Sequence, residues 1–413
     1  MHHHQQRLLN RFLQYVQMDT TAREDAGSYP SSPGQLALGQ LVVQQLTEMG
    51  ISDAQQDEYG IVMGTVPGNL PDAPVVAFNA HFDTSCETTG QDVKPNVIED
   101  FDGQDITLSG DTTKSITAKT CDELPLAKGK TIITTDGTTL LGGDDKAGVA
   151  IMMELANRLM ESSEIEHGPV RLLFTCDEEI GRGVDHVDIE KVDATVCYTF
   201  DGGGENMVDV ETFSADMALI TFAGVNIHPA IAKDKMKNAM RAAGHFLAQM
   251  PTELSPENTD GRDGFLHPYG IEGGVASVSL RVLLRDFDTA KLSEYAKLLQ
   301  GLAASVQQDN PGIQVDVQLR EQYRNMADGL VTEPRAAALA VAAHENLGRT
   351  AEQTIIRGGT DGSRLTELGL PTPNLSSGQH NIHSHLEWAC LDEMMAACEV
   401  GIEIVKLWGK EEA

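Results

Sequence analysis

The sequence predicts an α/β layered protein into which a small βαββαβ domain is inserted. Three observations carry this. Short apolar runs alternate with helical stripes over roughly the first 200 residues, the signature of strands layered with helices. From about residue 214 the rhythm becomes strand, helix, two strands, helix, strand. From residue 331 the first pattern resumes, so one domain interrupts another. The predicted bounds are 1–212 and 328–413 for the larger domain and 213–327 for the insert. A chain of 413 residues has room for both, at roughly 150 residues per domain.

The elements follow in order. Leu8, Leu9, Phe12, Leu13 and Val16 form an amphipathic opening, and residues 35–49 carry a helical stripe (Leu38, Leu41, Val42, Leu46, Met49) that stops at Gly50. Residues 75–78 are a short apolar run of the kind buried in a parallel sheet. Residues 90–126, rich in Asp, Thr and Gly, read as a long irregular insertion. A strand at 131–135, a helix at about 145–160, and strands at 170–175 and 194–200 continue the first pattern. In the insert, residues 217–222, 276–284 and 313–319 read as strands, 265–271 as an extra strand, and 234–250 and 292–306 as helices. A helix at 336–347 and a strand at 354–357 return the chain to the larger domain.

Composition excludes several functions. The net charge is −32, with acids twice as numerous as bases, and a field of that sign repels nucleic acid and anionic lipid. So many acids also mean that a single Asp or Glu argues for nothing, and only ordered constellations count. The six cysteines show no CxxC spacing and read as reduced thiols. The longest apolar run, residues 336–343, is far below the ~20 residues a membrane span needs. No export signal is visible at the N-terminus, so a cytoplasmic protein without nucleic-acid or membrane partners is expected.

In open α/β sheets ligands collect beyond the carboxyl ends of strands. Here four strands end in His or acid: residues 75–78 lead into His81-Phe82-Asp83, 131–135 through Gly142-Gly143 into Asp144-Asp145, 170–175 into Asp177-Glu178-Glu179, and 194–200 into Asp201. Each alone is most simply a solvated turn. Together they bring imidazole and several carboxylates to one rim, which is a metal site. Imidazole with carboxylate and no thiolate suits zinc, and less specifically manganese or cobalt. Several carboxylates offset two cations, and one Asp can bridge ions ~3.5 to 4 Å apart. The segment Asn381-Ile382-His383-Ser384-His385-Leu386-Glu387 offers a further imidazole, and spacing alone does not choose between His383 and His385. Of Glu178 and Glu179, one can bind metal while the other serves as base for the attacking water. Asp83, on the same side of an extended strand as His81, is placed to orient that imidazole.

These residues resemble the co-catalytic zinc metallopeptidase family that includes carboxypeptidase G and aminoacylase. The likeness runs along essentially the whole chain. It is most specific in His81-Phe82-Asp83-Thr84, in Leu140-Leu141-Gly142-Gly143-Asp144-Asp145-Lys146-Ala147-Gly148, in Asp177-Glu178-Glu179-Ile180-Gly181, in Tyr198-Thr199-Phe200-Asp201-Gly202-Gly203-Gly204 and in Ile356-Arg357-Gly358-Gly359-Thr360-Asp361-Gly362.

The resemblance implies a three-layer, mixed-sheet zinc-peptidase domain with a ferredoxin-like lid, and two Zn2+ per subunit, with Co2+ or Mn2+ as substitutes. It implies that His81 and Asp201 hold one ion, Glu179 and His383 the other, and Asp144 bridges both, with Glu178 as base. His383 is chosen over His385 because the family pattern has Glu four residues later, here Glu387. A cis bond between Asp144 and Asp145 is also implied. In the insert, Gly224-Val225-Asn226-Ile227-His228-Pro229 matches the lid histidine, which makes His228 the group that stabilises the developing oxyanion. Arg285 and Arg357 match the substrate-binding arginines, suited to a peptide carboxylate. A homodimer through the lid is the implied assembly. Ala230, Cys176 and the Ser384-His385 pair depart from the family pattern without removing a ligand.

The activity that the resemblance implies is release of the N-terminal residue from tripeptides, with a short peptide as substrate. Rivals on the same centre are a dipeptidase, a carboxypeptidase and an N-acyl amino acid deacylase. From other classes come a non-catalytic metal-binding protein, against which the spare Glu178 argues, and an acidic calcium-binding protein, which would not need His81 and His383.

Overall fold

The computed structural model describes residues 3–70 and 72–412. Met1, His2 and Ala413, at the outer bounds of the predicted larger domain, lie outside the described residues, as does Pro71. The chain divides into two compact units: residues 1–210, 328–354 and 360–413 in the first, and residues 211–327 with 355–359 in the second.

The first unit is built on a mixed sheet. Its centre is the parallel run Val170–Thr175, Val76–His81, Val196–Gly203 and Asn374–His380. Antiparallel strands flank it, with Val62–Val66 beside Val170–Thr175 and Trp388–Cys390 beside Asn374–His380. The central strands are buried on both faces, and their side chains alternate accordingly. Val76, Phe78 and Ala80 join the cluster formed with the helices His3–Val16, Gly143–Glu161, Arg335–Asn346 and Leu391–Trp408. Ala77, Leu173 and Cys197 face the opposite way, against Val184, Val192, Leu365 and Leu370. Sheet and two covering layers are the predicted three-layer α/β class, and the period-2 alternation is what lets near-continuous apolar strands serve both faces.

Segment 90–126 is irregular apart from short strands, but it is not coreless. Phe101, Leu108, Ile116, Cys121, Leu124 and Ala127 pack with Ile132, Trp388 and Cys390.

The second unit is a four-stranded antiparallel sheet in the order Phe265–Gly273, Ser277–Asp286, Ser214–Ala223, Gln314–Tyr323. Helices Ala239–Gln249 and Thr289–Asp309 pack on one face through Phe222, Phe246, Leu280, Leu292 and Leu299. This is the predicted βαββαβ order. The first helix starts later than its periodicity suggests. Asp234 takes a left-handed backbone (φ 63°), and the Asn238 side chain accepts from the Met240 N–H, capping the helix at residue 239. No helix among the described residues is long and apolar enough to cross a membrane.

Candidate metal centre

The first unit brings two imidazoles and several carboxylates to one end of its parallel strands. His81 is the last residue of Val76–His81. Its Nε2 lies 3.1 Å from Asp144 Oδ1, 3.8 Å from Asp201 Oδ1 and 3.9 Å from Glu178 Oε2. His383 Nε2 lies 3.2 Å from Asp144 Oδ2 and 3.0 Å from Glu179 Oε2. Two ligand groups result, His81/Asp144/Asp201 and Asp144/Glu179/His383, each with its donor atoms within 4.8 Å of one another and with Asp144 common to both. His385 belongs to neither group, and its buried Nδ1 has no partner among the described residues.

The supporting contacts explain why these side chains converge. Asp83 has three tasks: Oδ1 stands 3.3 Å from His81 Nδ1 and accepts from the Glu178 N–H, while Oδ2 accepts from the Glu179 N–H, both at 3.0 Å. Asp83 therefore fixes the face of the imidazole, with its backbone carbonyl 3.1 Å and its carboxylate 3.3 Å from His81 Nδ1, and the same carboxylate sets the path of the Glu178-Glu179 turn. Gly142, at φ 79°, turns the chain into the Asp144 segment, and the Asp144–Asp145 peptide is cis. Asp145 accepts from the N–H groups of His81 (3.2 Å) and Gly148 (3.1 Å). A Cβ on Gly148 would collide with the Phe200 carbonyl and with Asp145.

Sequence reasoning used Glu387 only as a pattern marker. Its buried carboxylate accepts from the N–H groups of Leu141 (2.7 Å), Gly142 (2.8 Å) and Asp144 (3.1 Å), tying that loop down. It also missed Asp361, which accepts from Thr175 Oγ1 at 2.5 Å beside the same strand ends. The signal available for both was position next to a Gly-rich turn or a strand end.

The electrostatics are those of crowded buried acid. Burial, then the Asp144 charge, pushes Glu179 up to about 8 and Asp201 to about 6. Burial and the neighbouring acids Asp201, Asp361 and Glu179 push Glu178 well above its ordinary value, although His81 opposes them. Burial disfavours a charged His383, yet Asp144 and Glu179 hold its pKa up at about 12. Burial likewise opposes the Asp144 charge, but the two imidazoles keep it well below the usual carboxylate range. Buried carboxylates in this number are costly unless a cation offsets them. The buried Glu179 Oε1 has no hydrogen-bond partner among the described residues, which suits a ligand oxygen. Imidazole and carboxylate without thiolate is a donor set for a divalent cation of the zinc type.

The other predicted residues lie in the second unit. His228 is exposed, and its Nδ1 accepts from the Ala230 N–H at 3.2 Å. Arg285 is buried, donates to the carbonyls of Asp216 and Leu284, and lies over the Tyr323 ring. Arg357 donates to the carbonyls of Gly261 and Asp263, both at 2.8 Å, and to Thr259 Oγ1.

Fold and donor set define a metal-dependent hydrolase. Residues 134–407 match Peptidase family M20/M25/M40, and the chain belongs to that family. Within it, the chain is similar over nearly its whole length to peptidase T: 42% identical to that of Brevibacillus brevis, covering 97% of this chain and 98% of the relative, and 40% identical, with the same coverage, to that of Bacillus mycoides. Among solved structures, the fold is shared with a tripeptidase from Staphylococcus aureus (TM-score 0.77, 22% identity, covering 98% of this chain and 99% of the other). It is shared equally with aminopeptidase PepT from Bacillus cereus (TM-score 0.73, 24% identity, the same coverage).

Proposed function

We propose that the chain is an aminopeptidase that releases the N-terminal residue from tripeptides at a centre of two zinc ions. The observation that carries this reading is the shared Asp144, within reach of His81 and His383 from opposite carboxylate oxygens. His81 and Asp201 would hold one ion and Glu179 and His383 the other, with Asp144 common to both groups; Co2+ or Mn2+ would serve the same donors. When bound, the ions polarise the scissile carbonyl and ease deprotonation of the attacking water.

The chain's own residues supply the rest. Glu178 stands outside both ligand groups but 3.9 Å from His81, so its carboxylate is close to the reacting atoms without being consumed as a ligand. It takes the proton of the attacking water and returns it to the leaving amine. Asp83 keeps His81 oriented through Nδ1, leaving Nε2 to face Asp144 and Asp201. His228 stabilises the oxyanion, and Arg285 and Arg357 receive the peptide carboxylate. For Arg357 this requires a change of partner, because its donors are engaged by residues 259–263.

Glu178→Ala tests the reading. Both metals should remain by emission spectrometry while tripeptide turnover falls ~10²- to 10⁴-fold. Undiminished turnover would remove Glu178 from the mechanism. Assaying a tripeptide beside its dipeptide fragment and its N-acetylated form tests the substrate class, since blocking the amine should abolish cleavage.

A further inference from the structure

A second group of metal-ligating side chains lies in the first unit, away from the strand ends just described. Cys121 Sγ, a Glu123 carboxylate oxygen and a ring nitrogen of His380 fall within 4.8 Å of one another. Cys121 and His380 are buried and Glu123 is exposed. We propose that these three residues bind a further divalent cation of the zinc class, clipping the 90–126 insertion to the strand Asn374–His380.

Three features support this. The donors differ in kind: sulfur, imidazole and carboxylate together suit a borderline-soft cation, whereas calcium or magnesium gains nothing from sulfur. His380 is prepared as ligands usually are. Its Nε2 lies 2.7 Å from Glu393 Oε2, Glu393 is paired with Lys130 at 2.9 Å, and the ring stacks on Trp388 at 3.8 Å. With the proton held at Nε2, the Nδ1 lone pair is left to coordinate. Finally, the fully buried Trp388 indole N–H has no hydrogen-bond partner among the described residues, and Trp388 and Cys121 belong to one buried cluster. The Cys121 S–H donates to Glu123 Oε2 at 3.1 Å, and binding replaces that proton, which leaves to solvent, by an S–metal bond. The indole then faces a charged sulfur in place of a weak acceptor. Exposed Glu123 provides the entry path, and three protein ligands leave one coordination position for water.

The tie would matter to the fold. Residues 90–126 otherwise rest on a small core of their own with Ile132, Trp388 and Cys390.

The test uses Co2+ added to the metal-free, full-length protein. A thiolate-to-cobalt charge-transfer absorption reports cysteine coordination, which the dinuclear donors do not supply, and Cys121→Ser assigns it to this site and not to the exposed Cys86. The band should account for one Co2+ per chain beyond those taken by the dinuclear centre, vanish in Cys121→Ser, and need about tenfold more Co2+ in Glu123→Ala. Glu123 is exposed, so that variant keeps the test meaningful if Cys121→Ser fails to fold. At the Zn2+ concentration that half-saturates the wild type, amide hydrogen exchange over residues 115–127 should slow in the wild type and much less in Glu123→Ala. Absence of the band at saturating Co2+, its persistence in Cys121→Ser, or an unchanged titration in Glu123→Ala would overturn the proposal.

Discussion

The two sheets of this molecule solve the same packing problem and end in different chemistry. In the second unit, apolar side chains of an antiparallel sheet meet two helices, and buried charge is confined to places such as Asp286, which accepts from Tyr295, and Arg285 beside it. In the first unit three of the four central strands are largely apolar, and around the strand ends lie His81, Asp83, Asp144, Asp145, Asp177 and Asp361, all nearly inaccessible to solvent. Parallel strands put all their carboxyl ends on one side, so acids there accumulate, whereas antiparallel strands alternate their ends. Burying that much like charge is unfavourable without a counter-ion. The first sheet is therefore organised around something bound, and the second around its own core.

The largest expected effect separates the two. Asp144→Ala removes the shared carboxylate and should abolish metal retention and lower turnover by ~1000-fold or more, equivalent to several kcal/mol. Calorimetry should find the second unit's packing untouched. Full activity in this variant would break the contrast at its centre.

The mirror experiment is Phe222→Ala, which deletes a fully buried ring packed edge-on against Phe246 at 5.7 Å. A loss of about 3–5 kcal/mol in denaturant unfolding is expected, with metal content per folded chain unchanged. A smaller effect belongs to Asp83→Asn. The variant keeps the backbone carbonyl on His81 Nδ1 and can still accept one backbone N–H, but it loses the carboxylate charge beside the imidazole, so metal affinity or kcat should fall ~10- to 100-fold while the melting temperature barely moves.

How legible this was from sequence depended on whether a residue's role is local. Val76–His81 is readable because an apolar run and its terminating His are contiguous. Asn374–His380 is not: Asn, Ser, Ser, Gly, Gln and His in seven residues show no apolar period, yet all seven are buried, because their polar groups meet partners distant in the chain. Asn374 Nδ2 donates to Asp209, Ser377 to the Gly202 carbonyl and Gln379 to Asp201. Glu387 is the same kind of case, holding a loop more than 240 positions away. His383 sits at φ 60°, a conformation that no spacing argument reveals, and its neighbours include the Thr88 hydroxyl on its carbonyl. Residue types that end strands can be read directly. The contacts that aim them belong to the fold.

The smallest expected effect isolates what acid crowding does to a histidine. His344 and His383 are in the same unit and are perturbed in opposite directions. Asp144 and Glu179 hold His383 up at about 12, whereas burial, with Arg349 adding to it, pulls His344 down to about 4. His344 lies on the helix Arg335–Asn346, and its buried Nδ1 has no partner among the described residues. Its folded-state pKa is below the unfolded value of ~6.5, so between pH 6.5 and 4 the unfolded chain binds a proton that the native chain refuses. The stability tied to neutral His344 is therefore complete above pH 6.5 and is lost as the pH falls towards 4. Over that window the loss is about 2 kcal/mol. His344→Leu removes the titrating group and leaves no donor or acceptor unpaired. Chemical denaturation at several pH values should show a shallower decline below pH 6.5 than in the wild type, with the two proteins parallel above it. Identical slopes would mean that His344 is protonated without penalty.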